Sequence, residues 1–488
     1  MSAGELAAGS VIDGFRLEEC VHQGGMATLW RVTHAAHALP MLMKVPRLRY
    51  GDDPAAIVGF EVEQMILPRL VGPHVPRFVA AGDFTVQPYL VMEYVAGRSL
   101  RPRLDEAPLP IGEVAAIGAK VATALADVHR QHVIHLDVKP SNIMLRDSGE
   151  AVLVDFGLSH HDQLPDLLAE QFQLPMGTGP YIAPEQVLGV REEPRSDLFA
   201  LGVTLYHLVT GERPFGNPTS LGGLRRRFYR DPEPPRALRP DVPRWLQEVI
   251  LRCLEVDPDA RYASAAQLAF DLGHPEQVPL TERAERAHRD GALTVVRRWF
   301  QSIGREHGAR HSVAEQLSRA PIIVAAIDVI HGAPALAEAL RTAVRRLIAT
   351  EPEARLACVT VLRVPRIGLD SNVDREGRNR HVKRLIGLKH WARELGLPEE
   401  RITFHVLEAP DPAEALVEYA RNNHVDHIVM GARGNSSLRR FLGSVSARVV
   451  SEASCTVTVV RVPERETAAQ GVASPGHDAH HEEPWSPL

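Results

Sequence analysis

Two different rhythms of apolar and polar positions divide this chain. From Phe15, FRLEECVHQGGMATLWRVTH reads as two strands around a glycine-containing turn, and MLMKV at 41–45 as an apolar strand carrying one lysine, Lys44. Residues 60–70 have helical character, and YLVMEYVAGRSL at 89–100 reads as a buried strand that breaks at Gly97. Ala115, Ile117, Val121, Leu125 and Val128 recur at helical spacing and predict a core helix between 111 and 132. A polar run, IHLDVKPSNIML at 134–145, follows, and then DFG at Asp155, Phe156 and Gly157. After Leu272 the pattern weakens. Residues 274–319 are rich in Arg, His and Glu with one apolar patch, LTVVRRWF, which predicts a linker containing a helix. From 320 the runs IIVAAID, ARLACVTVL, ITFHVLE, HIVMG and CTVTVVR alternate with Ala-rich helical stretches, the pattern of a parallel sheet with crossover helices. The expected organisation is a tail over 1–14, a first domain over 15–273, the linker over 274–319, a second domain over 320–463, and a polar, Pro/Gly-rich tail over 464–488 that reads as disordered.

Composition changes this picture little. At 488 residues the chain exceeds one ordinary core, and 44% apolar with 24% charged residues is a globular mix. A net charge of -6 gives no support to nucleic-acid binding. Cys20, Cys253, Cys358 and Cys455 form no CxxC pair, which disfavours a zinc site or disulfide framework and fits a reducing cytoplasm. The opening MSAGELAAGS lacks the shape of a secretory signal, and no run reaches about 18 apolar residues, so a cytoplasmic protein without a membrane anchor is expected.

The polar run carries the candidate chemistry. Phosphoryl transfer needs a carboxylate to orient the attacking hydroxyl, a cation on the moving phosphoryl group, and oxygen ligands for magnesium. Asp137, Lys139, Asn142 and Asp155 supply these residue types in that order. Lys44 is a further demand, because an ammonium in an apolar strand needs an anion.

HLDVKPSN resembles the catalytic loop of the eukaryotic-type protein kinase superfamily, and the resemblance runs from about Phe15 to Leu272. It implies a bilobal α+β domain using ATP and Mg2+ to phosphorylate protein substrates. Asp137 and Lys139 would be catalytic, and Asn142 and Asp155 would hold magnesium. Lys44 would pair with the ATP phosphates and Glu63, with Glu61 on the same helix as the competing choice. Gly24 and Gly25 would cover the phosphates, Val21 and Leu29 would border the nucleotide, and the backbones of Glu93 and Val95 would meet the adenine edge beside Met92. His135 would be structural.

Several departures from the family's pattern are informative. His22 and Ala27 stand where glycines are expected in the phosphate-covering loop, and Leu136 replaces the Arg that normally precedes the catalytic Asp. Between Gly157 and Met176 the only hydroxyl is Ser159. These two absences imply activity independent of a phosphorylated activation segment. Lys139 with Thr178 resembles the Ser/Thr-specific branch, and Glu185 of the APE motif is expected to pair with Arg261. Arg225, Arg226 and Arg227 read as a solvated helical face.

In the second domain, GARGNSSLRRFLGSVSARVV resembles the nucleotide-binding loop of the universal stress protein family, over about 320–462. The resemblance implies a five-stranded parallel α/β sandwich, so the whole is multidomain, α+β followed by α/β. It also implies a second nucleotide site at Gly431, Gly434, Gly443 and Ser444, with Asp328 at the end of the first strand. The spacing before Gly443 is one residue short of the family pattern. Three readings follow: a Ser/Thr protein kinase with a stress-sensing domain; a catalytically weak kinase-like scaffold whose second domain senses nucleotide; and a second domain that dimerises through the edge of CTVTVVR.

Overall fold

The computed structural model describes residues 6–47, 54–172, 174–288, 291–303, 320–330, 332–364, 379–432 and 443–462. The tail over 464–488, residues 304–319 of the linker, and Gly434 lie outside the described residues.

The first domain opens with an antiparallel sheet of β1 (Val11–Ile12), β2 (Phe15–Gln23), β3 (Ala27–His34), β4 (His37–Pro46), β5 (Phe78–Gly82) and β6 (Tyr89–Glu93), ordered β1-β2-β3-β4-β6-β5. Alternate residues Phe15, Leu17, Trp30, Val32, Met41 and Met43 bury one face, as period-two side-chain direction requires. Part of the expected N-terminal tail therefore belongs to the sheet. Its Asp13-Gly14 turn has φ 47° and 85°, the two left-handed positions that a tight hairpin needs.

Helix α1 (Pro54–Ile66) packs beneath this sheet, and the chain passes to a larger helical lobe at Gly97. Gly97 has φ 145°, and a Cβ there would sit 2.1 Å from the Leu145 carbonyl oxygen. Beyond it β7 (Arg98–Ser99), β8 (Ile143–Leu145) and β9 (Ala151–Leu153) form a small sheet beside α2 (Ile111–His129). A short helix, α3 (Leu167–Gln171), precedes the long helices α4 (Arg195–Thr210), α5 (Arg244–Cys253) and α6 (Ala265–Gly273). The expected Glu185–Arg261 pair is present: both guanidinium Nη atoms reach the carboxylate at 2.7 Å, and Ser196 Oγ donates to it at 2.6 Å.

One expectation is revised here. Arg227 is not on a solvated face: it is buried, donates to the carbonyls of Gly179 and Leu224, and lies over the rings of Phe199 and Phe215. Aromatic faces and carbonyls accept a guanidinium that a sequence-level charge count assigns to water. The first part of the expected linker packs on the first domain. Val278 and Ala284 are buried, the Gln247 amide donates to the carbonyls of Arg283, Ala284 and Arg286, and Glu248 holds Thr281 and Arg283. The expected linker helix is α7 (Ala292–Ile303), tied to the large lobe by Arg298 and Asp231 at 2.8 Å.

The second domain is a parallel sheet of β10 (Ile322–Ala326), β11 (Arg355–Arg363), β12 (Ile402–Ala409), β13 (His427–Gly431) and β14 (Thr456–Val460), ordered β12-β11-β10-β13-β14. Helices α8 (Pro334–Thr350) and α9 (Arg380–Arg393) cover one face, and α10 (Pro412–Asn422) and α11 (Ser444–Glu452) the other. Covered on both sides, the inner strands are the continuous apolar runs seen in the sequence. No described helix is long and apolar enough to cross a membrane.

The Glu185–Arg261 pair makes a stability prediction. Arg261→Ala would leave a buried carboxylate without its cation, and equilibrium urea unfolding of the first domain is expected to show a loss of about 3–5 kcal/mol.

Candidate active site between the two lobes

Strand β4 carries Lys44 on the floor of the upper lobe, in register with Leu29 and Leu90. Its ammonium donates to Glu63 Oε2 at 2.5 Å and to Asp155 Oδ1 at 2.8 Å. The second Glu63 oxygen accepts from the Phe156 amide at 3.3 Å, which ties α1 to the DFG segment. Of the two glutamates open from sequence, Glu63 is therefore the partner. Residues two apart on a helix lie on nearly opposite faces, so Glu61 points away from Lys44. Burial pulls the Lys44 pKa down, but Asp155 and Glu63 outweigh it and hold the ammonium above its ordinary value. Lys44 in turn holds the Asp155 carboxyl below the usual carboxylate range. Asp155 is half exposed, on the cleft side.

The loop after α2 is fixed from below. Asp197 on α4 accepts the amides of His135 at 2.9 Å and Leu136 at 2.8 Å. Leu136 has φ 60°, an uncommon conformation for a branched side chain. Its amide bond to Asp197 and the Gln186 amide donated to its carbonyl at 2.9 Å over-determine it. His135 is structural, as expected: it is fully buried beside Phe156 and shares a hydrogen bond with the Val154 carbonyl.

This geometry turns Asp137 into a hub. One carboxylate oxygen accepts from Thr178 Oγ1 at 2.8 Å and its amide at 3.2 Å. The other accepts from Lys139 Nζ at 2.6 Å and Asn142 Nδ2 at 3.2 Å. Lys139 also donates to Thr178 Oγ1 at 2.8 Å, so loop and segment end are joined. Lys44, Asp137, Lys139, Asp155 and Thr178 line one cleft of about 580 Å³, with Met26 and Ala27 at its roof.

Other expected residues are placed differently. The Gly24 amide is already donated to the Ala27 carbonyl at 3.0 Å, closing the hairpin, whereas a Cβ on Gly25 would meet open space. Val21 sits at a bulge of β2, 42% exposed, and Leu29 follows on β3. Glu93 ends β6 with its carboxylate held by Arg146 at 2.6 Å, and Val95 is buried beyond it. None of these six residues lines the cleft volume, which runs along Lys44, Asp155 and the segment over 171–178. The segment itself is ordered by neutral and ionic contacts. Ser159 is buried and donates to the His135 carbonyl, and Asp166 caps α3 while accepting from Arg191 at 2.6 Å.

In the second domain Asp328 and Gly431 follow or end the neighbouring strands β10 and β13, at their carboxyl ends. Chain crossovers leave to opposite sides of the sheet there, which is where ligands enter open α/β sheets. Gly443 precedes Ser444 at the start of α11, and Gly434 lies outside the described residues. A Cβ on Gly431 would come 2.8 Å from Leu336, so this glycine also admits α8.

The lowered Asp155 pKa makes its ion pair with Lys44 stabilising above the ordinary value of 3.8, and that contribution is lost as pH falls through the lower folded value. An NMR carboxyl titration is expected to place the Asp155 midpoint below 3.8, and Lys44→Met to move it upward.

Residues 15–271 match the protein kinase domain family, and residues 321–461 match the universal stress protein family. The chain is 32% identical over 311 residues to the serine/threonine-protein kinase PknL of Mycobacterium tuberculosis, an alignment covering 62% of this chain and 77% of that protein. It is 35% identical over 272 residues to the serine/threonine-protein kinase pkn3 of Myxococcus xanthus (53% and 49% covered). Against a probable serine/threonine-protein kinase of Clostridium perfringens it is 28% identical over 284 residues (58% and 41%). The chain thus spans less than half the length of the latter two relatives. A crystal structure of the PknI kinase domain of Mycobacterium tuberculosis aligns with TM-score 0.44 and 28% identity, over 55% of this chain and 99% of that one. By the match over residues 15–271, more than half its length, and the extent of its likeness to PknL, this chain belongs to the protein kinase family and carries a universal stress protein domain behind its kinase domain.

Proposed function

We propose that this chain is a serine/threonine protein kinase that transfers the γ-phosphoryl group of Mg-ATP to protein hydroxyls without needing a phosphorylated activation segment. The observation that carries this reading is the hub at Asp137, joined to Lys139, Asn142 and Thr178 in the same cleft as the Lys44–Glu63–Asp155 set. Asp137 orients the substrate hydroxyl and takes its proton as the new O–P bond forms. The bond from the γ-phosphorus to the bridging oxygen breaks, and ADP leaves with that electron pair. Lys139 offsets charge on the moving phosphoryl group, and Thr178 positions both Asp137 and Lys139. Lys44, held charged by Asp155 and Glu63, aligns the ATP phosphates under the Gly24–Gly25 turn, and Glu93 and Val95 offer backbone to the adenine.

Asn142 and Asp155 suit a divalent ion. Magnesium keeps water and substrate phosphates among its ligands, so two protein oxygens are enough to place it. When bound, it would neutralise phosphate charge. In the stress domain, Asp328, Gly431, Gly443 and Ser444 support a second nucleotide site, and the outer edge of β14 supports pairing with a second copy.

Transfer of labelled γ-phosphate to a generic basic protein is expected to fall on the order of 10²- to 10⁴-fold in Asp137→Ala. Equal, silent chains that still bind nucleotide would favour the scaffold reading. Because the stretch between Gly157 and Met176 offers only buried Ser159, phosphatase treatment beforehand is expected to leave the initial rate within about twofold; a collapse of the rate would refute phosphate independence.

A further inference from the structure

Helix α1 and the activation segment are both gripped from the stress domain. On α3, the buried carboxylate of Glu170 meets Arg355 Nη2 of β11 at 2.5 Å, His405 Nε2 of β12 at 2.9 Å and the Tyr419 hydroxyl of α10 at 3.3 Å. Asn423 donates to the Glu170 carbonyl at 3.1 Å, and the Gln171 amide donates to the Val406 carbonyl at 2.9 Å. On α1, Glu61 is paired with Lys389 of α9 at 3.0 Å, and the same ammonium lies over the rings of Phe84 and Phe404. Arg69 and Glu400 approach at 3.7 Å alongside.

These contacts reach the two elements on which transfer depends. Glu61 and Glu63 lie on opposite faces of α1, one held by Lys389 and the other by Lys44. A rotation that frees one displaces the other, because a helix moves as a rigid rod over so short a span. Between Gly157 and Met176 the segment offers no accessible hydroxyl, and Leu136 offers no guanidinium, yet this stretch contains a fixed anion whose guanidinium partner comes from the other domain. A bidentate-capable arginine on an oxyanion is the same chemistry by which a phosphate orders such a segment.

Resting on the kinase reading above, we propose that the stress domain is a built-in activator: Arg355 and His405 on Glu170, with Lys389 on Glu61, hold the activation segment and α1 in the transfer-competent arrangement in place of a phosphate. Arg355, His405 and Lys389 are positioning residues, since they act through α3 and α1 and touch none of the cleft groups. Whatever loosens the stress domain from the kinase domain lowers the transfer rate.

The test uses the full chain with Arg355→Ala, Lys389→Ala and Arg355→Lys. Two quantities are read: phosphate transfer to a generic basic protein, and hydrogen–deuterium exchange over 54–66 and 167–171, with 111–129 as the folding control. Each alanine variant is expected to lose about five- to tenfold in rate and to exchange faster over both segments, with 111–129 unchanged. Arg355→Lys keeps a cation on Glu170 and is expected to recover most of the rate. Faster exchange with a rate unchanged or raised would overturn the activating role, as would exchange unchanged in both alanine variants. A wild-type chain as silent as Asp137→Ala, with the exchange still responding, would instead remove the kinase reading and leave the docking contact standing.

Discussion

An ammonium placed in an apolar strand must be neutralised where it sits, and Lys44 imposes that demand on everything around it. Its two anions come from elements distant in sequence, Glu63 on α1 and Asp155 after the small sheet. Satisfying Lys44 therefore brings the helix, the upper sheet and the DFG segment to one place. The Glu63 contact to the Phe156 amide closes the same set. An isolated buried charge would cost several kcal/mol, so the alignment of these elements follows from the charge rather than from packing alone. The lower half of the cleft is organised by a second buried carboxylate, Asp197, which holds the backbone of His135 and Leu136 and so aims Asp137.

The stress domain extends this logic outward. Its sheet edge at β12 lies against α3, where the Gln171 side chain satisfies the Val406 carbonyl. A strand edge that would otherwise invite another chain is thus covered by the kinase domain, while β14 forms the opposite edge of the sheet. Glu170 sits at the centre of the contact. Burial alone would raise its pKa, but Arg355 and His405 bring it down to about 2, so it is an anion at any physiological pH. A carboxylate in that position gives α3 a fixed negative charge facing Arg355 of the stress domain.

Much of the fold was legible in the sequence because it rests on local periodicity. Alternation marked β2 to β4, helical spacing marked α2, and the apolar runs of the second domain gave its strands in order. The cluster at Asp137 was legible for a related reason: Asp137, Lys139 and Asn142 share one loop, and their spacing brings the side chains together in the structure. The hairpin at Asp13-Gly14 was missed although its signal was present, a D-G pair between apolar residues. The packing of Val278 and Ala284 on the first domain had no sequence signal, because Gln247, Glu248 and Thr281 pair across some thirty residues without any periodic pattern.

What the sequence by itself determined was which elements form, which face of each is apolar, and which loop gathers Asp137, Lys139 and Asn142. Backbone geometry and side-chain spacing within a few residues decide those things. The tertiary structure alone decided the partners of charge: Glu63 rather than Glu61 for Lys44, aromatic rings rather than water for Arg227, and Arg355 of another domain for Glu170. Charge in a low-dielectric interior is satisfied by whatever the fold brings within a few ångströms, and that proximity is a property of the folded chain, not of neighbouring letters.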